Sequence, residues 1–244
     1  MSDTQCTEIV QNSLIQRLPT ELCDRIVRMA QRRTWEQGDV VYRPGQEIAT
    51  VYFPLDAMVS VMVNLNNNRV LEVATVGPDG FVGVPVLCGV LMSAREVVVA
   101  ASGDMLGINV SGLHSLLHDE PILRETLHRF MLAIKFQSSQ KTACSQLHST
   151  EERLCWWLLN CANATSQPEL AITQQHLSWI LGVRRATVTE ILQSLRDEGC
   201  VTYRRRRIII QDPAGLETRC CECYGTVDSY YRQLLGTSDG QLMK

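Results

Sequence analysis

Thr173–Ile210 reads TQQHLSWILGVRRATVTEILQSLRDEGCVTYRRRRIII, and the order of its signals decides the fold of the C-terminal part of the chain. Thr173 is a favoured helix N-cap. Leu177, Ile180 and Leu181 then share one apolar face. Gly182 suits the left-handed conformation that ends a helix, and Val183 packs back as the turn residue. A second helix over about Arg185 to Glu198 turns Val188, Ile191, Leu192 and Leu195 inward. It leaves Arg184, Arg185, Ala186, Thr187, Thr189, Glu190 and Gln193 on or near its outer face. Gly199 ends it. Val201–Tyr203 and Ile208–Ile210 form a hairpin with Arg204, Arg205, Arg206 and Arg207 at its tip. This is the sequence of parts that a winged helix-turn-helix requires.

In that geometry the first residues of the second helix meet base edges in the major groove. Arg185 has the donor fork for a bidentate contact to guanine, worth about 1–3 kcal/mol of discrimination. Thr187 and Thr189 suit a phosphate or a thymine methyl, and Glu190 an acceptor role toward a cytosine amine. Thr173 and Gln174, opening the first helix, complete the candidate DNA contacts with Arg184 and Ala186. The four hairpin arginines suit phosphates, which makes binding steeply salt-dependent. A helical hairpin with merely solvated charges is the plainer reading of two short amphipathic helices. The Arg-led second helix followed by an arginine-tipped hairpin favours double-stranded DNA. Few aromatics interleave the basic residues, which disfavours single strands.

The chain has 244 residues, room for two domains. Its formal net charge is -3, so any affinity for nucleic acid has to come from local basic clusters. The longest apolar run, Phe81–Met92, is short for a membrane span and contains glycine and proline. The first residues, MSDTQCTEIVQNSL, lack a basic start and an apolar core, which predicts a cytoplasmic protein with no membrane partner. Cys23, Cys88, Cys155 and Cys161 are expected as reduced, small core residues on apolar faces.

Upstream, residues 1–33 read as an N-terminal helical segment. Within it a helix over Pro19–Arg33 aligns Leu22, Ile26 and Met29. From Thr34 to about Val110, short runs rich in Val, Ile, Tyr and Phe alternate with turns such as RPGQ, GPDG and ASGD, a β-sandwich or barrel pattern filling residues 34–118. Residues 119–147 predict a long helix. In it Leu123, Leu127, Phe130, Ile134, Gln137, Lys141 and Cys144 follow a heptad spacing. This seam predicts a parallel dimer, with packing on the chain's own β-domain as the alternative. Ser149–Glu152 is a capping box that opens a further helix with Leu154, Trp157, Leu158 and Cys161 inward. The stretch ATSQPEL reads as a polar linker. The winged module is assigned to 148–213 and a helical tail to 214–244.

These stretches together resemble the Crp–Fnr family of bacterial transcription regulators. LAITQQHLSWILGVRRATVTEILQSLRDEGCV is similar to that family's helix-turn-helix and YRRRRIII to its wing. EQGDVVYRPGQEIATVYFPLDAMVSVMV is similar to the first half of its cyclic-nucleotide-binding β-roll. The resemblance implies an α+β protein with an N-terminal double-stranded β-helix (jelly-roll) domain, a dimerisation helix and a C-terminal winged helix-turn-helix. It further implies a homodimer on an inverted repeat, an effector in the β-roll and RNA polymerase as a partner. The effector stretch, GPDGFVGVPVLCGVLMSAREVVV, departs from the family: Gly83 keeps the glycine, but Val84 replaces the ribose-binding glutamate and Pro85 follows. Arg95 is either the phosphate partner or a surface strand residue. The resemblance therefore points to a small-molecule effector other than cyclic AMP, or to none. Ala186 and Glu190 depart from the family's common residues, which implies a different preferred DNA sequence.

Cys220, Cys221 and Cys223 form the dense cysteine cluster, RCCECY. Either three thiolates bind zinc or form a disulfide, which would make the chain a redox- or metal-responsive sensor with DNA binding as its output, or the tail is a helix packed near the wing; the sequence shows no fourth ligand. The N-terminal region offers Cys6 and Cys23 alone, which argues against an iron–sulfur centre. The histidines lack metal-type spacing, apart from His114 and His118 four apart on a helix. No phosphate-cradling loop, nucleophile elbow or catalytic carboxylate pair is recognisable, which argues against an enzyme.

Overall fold

The computed structural model describes residues 11–65, 69–165, 167–204 and 207–236. Two short helices come first, α1 (Ser13–Gln16) and α2 (Thr20–Met29). Asn12 anchors them: its side chain caps α1 through the Leu14 and Ile15 amides and donates to the Pro54 and Gly80 carbonyls at 2.9 Å each. The helix expected over Pro19–Arg33 stops at Met29. Ala30 turns extended, and Gln31–Trp35 becomes strand β1. Met29, expected on the apolar face, is 42% exposed. Strand pairing outweighs helical periodicity here: Arg32 pairs with Asp104 on the neighbouring strand, and the Arg33 guanidinium lies 4.1 Å over the Trp35 ring.

Six further strands complete the N-terminal β-region: β2 (Val40–Tyr42), β3 (Thr50–Pro54), β4 (Met58–Leu65), β5 (Arg69–Val76), β6 (Glu96–Ala101) and β7 (Gly103–Asn109). They form two antiparallel sheets, ordered β1-β7-β3 and β2-β6-β4-β5. Their inward residues, among them Val51, Phe53, Val59, Val99 and Ile108, share one core with Phe81 from the segment after β5. A one-turn 3-10 helix, Val84–Cys88, interrupts the strands.

Helix α3 (Val110–Asp119) leads into α4 (Pro121–Leu147), the long helix expected from the sequence. Its seam is the main correction. Leu123, Leu127, Phe130, Gln137 and Cys144 are buried within one chain, against β5 and the C-terminal helix α9 (Cys223–Leu235). The polar second half of the seam is satisfied internally. Gln137 accepts from the Thr75 amide at 2.8 Å and donates to the Tyr231 hydroxyl at 3.3 Å, and Lys141 pairs with Glu72. A 3–4 spacing states that a face is covered, not what covers it.

The C-terminal module begins at α5 (Thr150–Thr165). The capping box closes as expected: the Ser149 amide donates to Glu152 at 2.7 Å, and the Glu152 amide to the Ser149 hydroxyl at 3.2 Å. The linker assignment fails at both ends, because Ala164 and Thr165 close α5 and Glu169–Ala171 forms strand β8. Then come α6 (Gln174–Leu181), α7 (Arg185–Asp197), β9 (Val201–Arg204), β10 (Arg207–Ile210) and α8 (Pro213–Thr218), before α9. β8 joins the wing hairpin in a three-stranded sheet, ordered β8-β10-β9. A second core gathers Leu154, Trp157, Leu177, Val188, Leu192 and Ile208. Cys155 and Cys161 are buried in it, and burial pushes the Cys155 thiol up to about 12, which keeps it protonated. Two cysteines depart from expectation: Cys88 is exposed and Cys23 is disulfide-bonded. No helix among the described residues is long and apolar enough to cross a membrane.

Candidate nucleic-acid interface

The Thr173 hydroxyl caps α6 by accepting the His176 amide at 3.1 Å. Gly182 takes φ +68 at the turn, and the Val183 amide closes back on the Ser178 carbonyl at 3.0 Å. A Cβ at Gly182 would be strained at that φ and would meet Leu71 Cδ1 at 2.9 Å. The turn thus lies against β5 of the N-terminal sheets.

The outer face of α7 is open. Arg184, Arg185, Ala186, Thr189 and Glu190 are exposed and Thr187 is half-buried. Neither Arg184 nor Arg185 forms an ion pair among the described residues. No side chain caps the start of α7, which leaves its first-turn amides without a side-chain partner next to Arg184 and Arg185. Two expected contacts are engaged within the motif. The Thr189 hydroxyl sits 2.9 Å from Gln174 Oε1 and 3.0 Å from the Arg185 carbonyl, tying α6 to α7.

On the wing, Arg204 is exposed and faces Arg207 across the hairpin. Arg207 pairs with Glu169 on β8, so part of its charge is already answered. Arg205 and Arg206 lie outside the described residues. The far end of α7 is held from below: Arg219 pairs with Glu198 and, at 3.0 Å, with Glu151.

On α6, His176 is buried, its ring centroid 6.0 Å from that of Trp179, with Nε2 unpartnered among the described residues. Burial lowers its pKa, opposed by Glu72. The unfolded chain therefore takes up a proton first as pH falls through about 6.5. Stability carried by neutral His176 is complete above that value and declines toward the lowered folded value, by at most about 1.4 kcal/mol per pH unit. Urea unfolding between pH 7.5 and 5 is expected to show this slope in the wild type and a shallower one in His176→Leu. Equal slopes would refute it.

A cavity of about 470 Å³ lies between the N-terminal β-sheets and α4. Gly83, Val84, Pro85 and Arg95 all line it, so the expected effector residues do converge. Gly83 adopts φ +123, and a Cβ there would meet Val51 Cγ1 at 2.7 Å. Arg95 is exposed at the rim, just before β6. The long helix adds Lys135, Ser138 and Thr142, which the sequence reading missed. No carboxylate lines the cavity among the described residues, consistent with Val84 in place of glutamate. In the tail, Cys221 and Cys223 are buried at the end of α4, while Cys220 is half-buried between the two cores.

Residues 152–219 match the Crp-like helix-turn-helix domain family. No curated protein matches the chain in sequence. Among solved structures, the c-di-GMP responsive global regulator CLP of Xanthomonas campestris is 17% identical with a TM-score of 0.63, covering 80% of this chain and 100% of that one. FixK2 of Bradyrhizobium japonicum is 15% identical at a TM-score of 0.65, covering 79% and 98%. A CRP-family transcriptional regulator of Thermus thermophilus is 19% identical at 0.62, covering 77% and 95%. The fold is theirs, and the proteins it resembles are transcription regulators.

Proposed function

We propose that this chain, a Crp/Fnr-type transcription regulator with a DNA-binding helix-turn-helix, acts as a cytoplasmic homodimer on an inverted repeat and meets RNA polymerase there. The observation that carries the reading is the open start of α7, where Arg184 and Arg185 are exposed and no side chain caps the helix, together with the exposed Arg204 on the hairpin. Two-fold symmetry puts the half-sites about 10 base pairs apart. Because the seam of α4 is occupied inside the chain, the dimer uses its outer stripe. Ile122 and Leu132 are 39% and 48% exposed there. The exposed Val90–Met92 loop follows Cys88, which touches Met131 of the same helix at 3.8 Å. The cavity, apolar with Arg95 and Lys135 at its edge, suits an apolar effector carrying an acidic group.

Selection of bound sequences followed by footprinting tests the DNA assignment. Arg185→Ala is expected to relax one base position and cost about 1–3 kcal/mol at the preferred site. Arg204→Ala is expected to weaken all sequences alike and flatten the salt slope by about 0.9 for each phosphate it no longer neutralises. An unchanged footprint and salt slope in both variants would overturn the assignment.

A further inference from the structure

The end of α4 and the start of α9 bring together four side chains that lie far apart in sequence. Cys144 and His148 are four apart on α4 and its C-cap, so both face one way. Cys221 and Cys223 flank Glu222, the N-cap of α9. The four ligand atoms all lie within 4.8 Å of one another. Cys144 Sγ is 3.5 Å from Cys221 Sγ, and Cys223 Sγ is 3.5 Å from His148 Nδ1. A tetrahedral zinc ion has bonds of about 2.3 Å to sulfur and about 2.0 Å to nitrogen, which sets edges of about 3.8 Å between sulfurs and about 3.5 Å from sulfur to nitrogen. Both close pairs already sit near such edges.

We propose that Cys144, His148, Cys221 and Cys223 form a closed structural site for a zinc-class cation that staples the C-terminal helix across the joint between sensor and DNA-binding module. Three surroundings support it independently of the spacing. His148 Nε2 lies 3.3 Å from Glu222 Oε1, the carboxylate partner that a metal-bound histidine uses to fix its tautomer. Gln140 Nε2 donates to Cys223 Sγ at 3.1 Å, an outer hydrogen bond that orients this sulfur as a ligand. Arg153 lines the same cleft as Cys144, with its Nε buried and without a hydrogen-bond partner among the described residues, and so offers a cation to the single negative charge that three thiolates leave on a divalent ion. On binding, the three thiol protons pass to solvent and no electrons move. Cys220 is outside the set and packs between the two cores. Because Ser149 opens the next helix, the staple lies at the hand-over from α4 to α5.

The test is made on the full chain, purified under reducing conditions and loaded with Zn2+ or Co2+. About one equivalent of zinc per chain is expected, with the ligand-field and thiolate charge-transfer bands of tetrahedral Co2+. Cys144→Ser, Cys221→Ser and Cys223→Ser are expected to lose stoichiometric binding, while Cys220→Ser keeps it. Glu222→Gln is expected to keep the ion with about 10–100-fold weaker affinity in chelator competition. Sub-stoichiometric metal with no tetrahedral cobalt spectrum in the wild type would overturn the proposal, as would loss of metal in Cys220→Ser. A native Cys144–Cys221 disulfide in place of metal would also overturn it. The wild-type spectrum and Cys220→Ser decide the matter even where another variant fails to fold.

Discussion

Replacing Phe130 by Ala is expected to lower the unfolding free energy by about 3–5 kcal/mol, by the same amount at every protein concentration. Phe130 is buried within one chain, edge-on to Tyr231 of α9 at 6.4 Å between ring centroids. It also fills the space beside Gly80, where a Cβ would stand 3.0 Å from its ring. Truncation leaves a void bounded by the rigid sheet, by α4 and by α9, which have little freedom to collapse. A residue on a dimer seam behaves differently: its loss weakens association, so the deficit grows on dilution. Denaturant titrations at two concentrations a hundredfold apart separate the two cases. A concentration-dependent deficit would return Phe130 to the dimer seam.

Replacing Glu72 by Ala is expected to cost a similar amount, about 3–5 kcal/mol, for an electrostatic reason. Its carboxylate is almost fully buried and meets three elements at once: the Ser60 hydroxyl on β4, the Lys141 ammonium on α4 and, at 3.4 Å, the Trp157 indole N–H on α5. Removing it strands the Lys141 charge, 16% exposed, against an apolar surround. Replacing both partners, as in Glu72→Leu with Lys141→Met, removes the charges together and is expected to recover most of the loss. Calorimetric melting of the two variants checks this. If the single variant melts like the wild type, the carboxylate is not the junction's anchor.

The winged module was readable because its signals are local. An N-cap, an αL glycine, an arginine-led helix and an arginine hairpin each act within a few residues, and the structure places Thr173, Gly182 and Gly199 accordingly. Other features depend on partners that no window contains. Gln31–Trp35 is a strand because Gly103–Gly107 pairs with it, and Glu169–Ala171 because Arg207–Ile209 does. A strand as short as Glu169–Ala171 carries no usable periodicity of its own. Cys144 and His148 stand more than seventy positions from Cys221 and Cys223, so RCCECY showed a cluster without its remaining ligands. In the effector region the sequence located Gly83–Pro85 and Arg95, yet the helical wall with Lys135 and Ser138 depends on where the long helix lies across the sheet.

The inward-facing seam of α4 has a consequence for dose response. A chain that completes its own core does not need a partner to persist, so single copies survive dilution. A homodimer built on the thin stripe of Ile122 and Leu132 would then assemble largely at its operator. Occupancy would rise with the square of chain concentration at low expression, so a twofold change in synthesis would become a fourfold change in bound promoter.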